Sequence, residues 1–117
     1  MKNVTIYHNP RCSKSRETLA LLEQHGVKPD VVLYLETPPS VDQLKKLLKE
    51  LGFSSARELM RKKEDLYKDL KLADENLSEA QLLQTMVDNP KLIERPIVVK
   101  GTQARIGRPP EQVLEIL

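Results

Sequence analysis

One cysteine, one phenylalanine and no tryptophan occur among 117 residues, and each shortage excludes something. A lone cysteine, Cys12, cannot close an internal disulfide. The chain is therefore not a cross-linked scaffold; it fits a reducing compartment and leaves a free thiol to be explained. Aromatic residues make up only 3% and the formal charge is only +2, whereas a nucleic-acid-binding surface calls for a basic stripe with interleaved aromatics. No nucleic-acid partner is expected. No apolar run approaches the roughly 20 residues that span a bilayer, so no membrane partner is expected either. The opening MKNVTIYHNP holds no uninterrupted apolar stretch and no small-residue cleavage site, so it does not read as a secretory signal, and a cytoplasmic location is the expectation. Repeats, low-complexity tracts and linkers are also missing. With 39% hydrophobic and 31% charged residues, the chain is expected to form a single domain over residues 1–117. No metal site is expected.

Val4 to Tyr7 reads as a strand ended by the turn pair Asn9-Pro10. A helix is predicted from about Ser13 to His25, with Leu19 and Leu22 on one face and Gly26 as the left-handed stop. His25 sits at the negative end of that helix and is given no catalytic role. After Lys28-Pro29, the run Val31 to Leu35 reads as a second strand, parallel to the first because a helix connects them. Three capping boxes follow, Ser40 with Gln43, Ser55 with Glu58 and Ser78 with Gln81, each predicting a helix. The first of these helices carries Val41, Leu44, Leu47, Leu48 and Leu51 and stops at Gly52; the third carries Leu82, Leu83, Met86 and Val87 and ends before Pro90. Between them Arg57, Arg61, Lys62 and Lys63 alternate with Glu58, Glu64 and Asp65, a pattern that reads as a solvated helix face. A hairpin of Ile97 to Val99 and Ala104 to Ile106 and a helix from about Pro110 close the chain. The order predicts an α/β fold: a four-stranded mixed sheet with a helical insert between strands 2 and 3.

The segment His8-Asn9-Pro10-Arg11-Cys12-Ser13-Lys14-Ser15-Arg16 joins a strand end to a helix start. Unpaired N–H groups and the helix dipole favour negative charge there, both a thiolate and an anionic substrate. Arg11, Lys14 and Arg16 add positive charge, so the Cys12 pKa is expected to fall below the free value of about 8.5. The Ser15 hydroxyl is expected to reach back toward the sulfur. A lone cysteine is commonly a small buried hydrophobe, but a basic, partly exposed strand-to-helix turn is the setting that makes thiols reactive. His8 reads equally as a proton-transfer or anion-binding group and as a structural residue at a strand end. The pattern is Cys-x-x-Ser, so any covalent adduct on Cys12 has to be resolved by a thiol from outside.

His8-Asn9-Pro10 followed by Cys12 and Ser15-Arg16 resembles the active-site loop of the glutaredoxin-dependent arsenate reductase (ArsC) family. The likeness continues through Tyr34 to Pro39, Glu58-Leu59-Met60-Arg61-Lys62, Arg95-Pro96-Ile97-Val98-Val99, Gly107-Arg108-Pro109 and Val113 to Leu117, and is greatest to the YfgD-like branch. It implies a thioredoxin-like fold, with a cis bond before Pro96. It also implies reduction of arsenate to arsenite with glutathione as co-substrate, glutaredoxin as partner and no bound cofactor. By that pattern Cys12 is the nucleophile and Arg61, Arg95 and Arg108 line the oxyanion pocket, with His8, Ser15 and Arg16 in support. A guanidinium suits the task because it stays charged and offers paired donors to an oxyanion. Two other functions stand beside this one. One is a glutathione-linked thiol-disulfide oxidoreductase without arsenate turnover. The other is an Spx-like regulator of RNA polymerase, although such regulators switch through Cys-x-x-Cys and this chain has Ser15 at the second position.

Overall fold

The computed structural model describes residues 3–117; Met1 and Lys2, the first residues of the stretch read for a signal, lie outside them. The chain divides into two compact units, residues 3–37 with Arg95–Leu117, and Pro38–Glu94.

The first unit is built on β1 (Val4–Tyr7), α1 (Ser13–Gln24), β2 (Asp30–Val32), β3 (Ile97–Lys100) and β4 (Gln103–Ile106). The strands lie in the order β2-β1-β3-β4. β1 runs parallel to β2, with Ile6 opposite Val31, and antiparallel to β3, with Ile6 opposite Val98; β3 and β4 form the antiparallel hairpin. A parallel pair needs a crossover, and α1 supplies it. Val4 and Ile6 alternate into a core with Leu22, Val98, Val113 and Ile116, against which Leu19, Leu21 and Val27 also pack. Gly26 takes the left-handed conformation, φ 75°, that ends α1. The last segment, Pro110–Ile116, is a 3₁₀ helix rather than an α-helix. Its period of three residues puts Pro110, Val113 and Ile116, all buried, on one face.

The second strand is shorter than the sequence predicts. β2 stops at Val32, and Leu33 O accepts the N–H groups of Glu36 and Thr37, both at 2.9 Å, which turns the chain. Tyr34 is buried while Leu35 is 41% exposed. A β-branched and aromatic run is a weak guide on an edge strand, where only one neighbour holds the ladder.

The second unit holds α2 (Val41–Leu51), α3 (Asp65–Asp69) and α4 (Glu79–Asp88), with 3₁₀ turns at Ala56–Leu59 and Pro90–Leu92. All three capping boxes form. The helices α2 and α4 pack together, with Leu44, Leu47, Leu82, Leu83 and Met86 buried. The middle box, however, opens only one 3₁₀ turn. Backbone groups that would have propagated a helix are taken by another segment: Arg61 N–H donates to Leu92 O at 2.7 Å and Glu94 N–H to Leu59 O at 2.8 Å. Met60 thereby pairs with Ile93 in an isolated β-bridge. The basic run is therefore not a solvated helix face. Arg57 donates to Leu72 O at 3.0 Å and Asp74 O at 2.6 Å, holding the following loop, while Lys62 and Lys63 stay exposed.

The α/β fold is thus the expected one, a four-stranded mixed sheet of thioredoxin-like topology with a helical insert between β2 and β3.

Candidate active site

The residues after β1 fold on themselves before α1 begins. Asn9 Oδ1 accepts the Arg11 N–H at 3.0 Å and Asn9 O accepts the Cys12 N–H, also at 3.0 Å. An asparagine side chain closing such a turn is the local chemistry that lets a strand end give way to a helix within a few residues. Cys12 is then the N-cap of α1, with extended backbone (φ −94°, ψ 124°), and its carbonyl accepts Arg16 N–H at 3.0 Å. Its side chain makes no formed capping bond. The thiol is half-buried at the positive end of the helix.

Burial pushes the Cys12 thiol up. Against burial act the backbone N–H of Ser15, the guanidinium groups of Arg95 and Arg108, and the backbone N–H of Lys14; together they hold the thiol below its ordinary range. Two expectations change here. The cations that act on the sulfur are Arg95 and Arg108, distant in sequence, not the adjacent Arg11, Lys14 and Arg16. The guanidinium of Arg16 is occupied at the loop backbone, donating to Pro10 O at 2.9 Å. Ser15, in turn, serves the sulfur through its backbone. Its buried hydroxyl lies 2.7 Å from His8 Nδ1 and accepts Asn9 N–H at 3.0 Å. The hydroxyl thus ties the loop to the helix beneath the cysteine.

His8 is buried at the end of β1, and its backbone N–H donates to Val32 O at 2.9 Å. Burial first, and the nearby Arg16 charge second, push its imidazole below the ordinary histidine pKa. The lowering favours the uncharged ring, which is engaged with Ser15.

Arg108 approaches the sulfur directly, with Nη2 3.5 Å from Cys12 Sγ and Nε donating to Arg95 O at 2.8 Å. The Arg95-Pro96 peptide is cis, as the resemblance implies, and so is Arg108-Pro109, which sequence reasoning missed. Arg95 and Arg108 are both half-buried. Arg61 belongs to the second unit, where Nη1 pairs with Glu64 at 3.1 Å and Nε faces Glu94 at 4.0 Å. Two further residues support the site without having been singled out. Thr18 is fully buried one turn into α1, and Gly107 packs against it. The sequence signal for Gly107 was its place directly before Arg108-Pro109, where a glycine allows close backbone approach.

The profile of the ArsC family matches residues 7–116, nearly the whole chain. The chain belongs to the ArsC family. It is 72% identical over 116 residues to a protein of Escherichia coli (strain K12) named Uncharacterized protein YfgD, covering 99% of this chain and 98% of that one. It is 54% identical over 115 residues to a protein named arsenate reductase in Haemophilus influenzae, covering 98% and 99% of the two chains. A solved structure titled arsenate reductase from Vibrio cholerae superposes with a TM-score of 0.97 at 62% identity, covering 99% of this chain and 98% of that one.

In this ArsC-family chain the first unit assembles the means for one kind of chemistry. A thiol whose pKa is lowered by Arg95 and Arg108 lies at a helix terminus that also favours anions, with the Arg108 guanidinium 3.5 Å from the sulfur. A thiolate so placed can act as a nucleophile. Among the described residues, no helix is long and apolar enough to cross a membrane.

Proposed function

We propose that the protein is an arsenate reductase that works with glutathione and glutaredoxin. The observation that carries the reading is the Arg108 guanidinium 3.5 Å from Cys12 Sγ at the N-terminus of α1. It supplies a positive donor to the thiolate and, in the same place, to an incoming arsenate oxygen. Relatives named arsenate reductase support the substrate.

In the proposed cycle the Cys12 thiolate attacks arsenic and displaces one oxygen as water, leaving a Cys12–S–As adduct. Arg95 and Arg108 hold its oxygens. Arg61 joins them on the strength of the family pattern, with its pairing to Glu64 and Glu94 as the contacts an oxyanion would compete with. Reduction from As(V) to As(III) takes two electrons, and one thiol becoming half of a disulfide requires a second. The chain has no second cysteine. Glutathione supplies it: its thiolate attacks the Cys12 sulfur, arsenic leaves with the bonding pair as arsenite, and glutaredoxin then removes glutathione from Cys12. A single thiol that has to be returned to the reduced state suits the cytoplasm.

The test is arsenate-dependent oxidation of NADPH coupled through glutathione, glutathione reductase and glutaredoxin. Activity that depends on every component and is abolished in Cys12→Ser supports the proposal. Absence of arsenate-dependent oxidation with the folded wild-type protein contradicts it.

A further inference from the structure

Gly107 precedes Arg108, yet it is not in the left-handed region that usually selects glycine. Space selects it instead. A Cβ at this position would collide with Thr18 Oγ1, approach Pro96 Cγ to 2.8 Å and Thr18 Cγ2 to 3.1 Å. Neither neighbour is free to withdraw. Thr18 is fully buried, and its hydroxyl donates to Lys14 O at 2.8 Å, in the first turn of α1 beside Cys12. Pro96 is a ring in the backbone directly after Arg95, and its carbonyl accepts the Gly107 N–H at 2.9 Å.

The glycine therefore lies against Thr18 on α1 and against Pro96, the residue after Arg95, and directly precedes Arg108 in the chain. We infer that Gly107 is a positioning residue, whose missing side chain lets the β4 loop seat on Thr18 and Pro96 and thereby sets the 3.5 Å separation of Arg108 from Cys12. The inference deepens the proposed function, since it takes Arg108 to act on the Cys12 thiolate and on the bound oxyanion. Displacement of a fixed guanidinium by an ångström or so weakens a charge-assisted hydrogen bond without removing the charge, so the loss is graded rather than total.

The experiment compares wild type, Gly107→Ala, Thr18→Ala, Thr18→Ala/Gly107→Ala and Arg108→Ala. The first readout is the pH midpoint of Cys12 alkylation by iodoacetamide; the second is arsenate affinity by calorimetry. Gly107→Ala should raise the midpoint toward the free-thiol value of about 8.5 and weaken arsenate binding about tenfold. Measured against Thr18→Ala, the double variant should recover part of both losses, because the collision with Thr18 is relieved while the close approach to Pro96 Cγ remains. An unchanged midpoint and affinity in Gly107→Ala would overturn the inference. So would a double variant that shows no recovery or does not fold, since removing the larger of the two collisions should restore the loop in part. Alkylation uses no arsenate. A midpoint that shifts in Gly107→Ala, in a protein that does not bind arsenate, would keep the positioning role and reject the substrate. A midpoint unmoved in Arg108→Ala would reject the underlying reading of Arg108.

Discussion

Arg108 and Cys12 are 96 positions apart in the chain, and their side chains meet at 3.5 Å, with the arginine's other arm anchored to the Arg95 carbonyl at 2.8 Å. The anchor divides the labour of one guanidinium: Nε fixes the group and Nη2 faces the sulfur. The Cys12 thiol should therefore alkylate with a midpoint below about 8.5, and Arg108→Ala should raise it. Arg108→Lys should not restore the wild-type value, because a lysine cannot make both contacts. A wild-type midpoint at or above the free value would show that this turn does not activate the sulfur.

Arg95→Ala and Arg108→Ala should each weaken oxyanion binding by roughly tenfold to a hundredfold, the range for a charge-assisted hydrogen bond of about 1.5–3 kcal/mol. Calorimetry with arsenate on Cys12→Ser variants separates binding from turnover. Arg61→Ala should show a smaller loss, because its guanidinium is shared with Glu64 and Glu94. Full affinity in both the Arg95 and Arg108 variants would move the oxyanion site elsewhere.

Much of this arrangement was legible in the sequence because it depends on neighbours. The three serine capping boxes, the Gly26 and Gly52 stops and the placement of Cys12 at a helix start are all local patterns, and each is present. What was not legible depends on partners far along the chain. The Ser55 box opens only a 3₁₀ turn because residues 92–94 take its backbone bonds. The run Val31 to Leu35 ends early because Leu33 O closes a turn. The same division holds at the site. The sequence pointed to Arg11, Lys14 and Arg16 as the cations around the thiol because they are adjacent, whereas folding brings Arg95 and Arg108 there instead. Likewise, the offset of three residues suggested that the Ser15 hydroxyl serves the sulfur, and only the buried His8 explains why it does not.

One buried and one half-buried titratable group give the fold opposite responses to pH. His8 has its pKa depressed by burial and by Arg16, so its contribution to stability is present above the ordinary value of about 6.5 and is lost as pH falls toward the lower folded value. Glu50, in the last turn of α2, has its carboxyl pushed up by burial, partly offset by Lys46, and Oε2 has no hydrogen-bond partner among the described residues. Its contribution is present below the ordinary glutamate value and is lost as pH rises through the folded one. Glu50→Gln should therefore raise Tm by a few degrees at pH 7, with the gain vanishing toward pH 4. His8→Asn should flatten the fall in Tm as pH drops below about 6.5. Thermal melts from pH 7 to pH 4 check both, and a Glu50→Gln variant less stable than wild type at pH 7 would contradict the assignment.

Thioredoxin with thioredoxin reductase should not replace glutathione and glutaredoxin in supporting turnover. Thioredoxin-coupled resolution usually begins with a second cysteine in the same chain, and Ser15, which occupies the position of such a partner, forms no disulfide. Steady-state NADPH oxidation with each reducing system separately decides the point. Sustained turnover with thioredoxin alone would contradict the scheme even with arsenate as substrate.

The most direct test follows the sulfur itself. Wild-type protein is mixed with stoichiometric arsenate and limiting glutathione, without glutaredoxin, and the Cys12 peptide is weighed by mass spectrometry. The account predicts glutathione joined to Cys12, one arsenite released for each adduct, and no adduct when arsenate is left out, since arsenate is the only oxidant present. A Cys12 peptide that stays unmodified while arsenite appears, or an adduct that forms equally without arsenate, would contradict it.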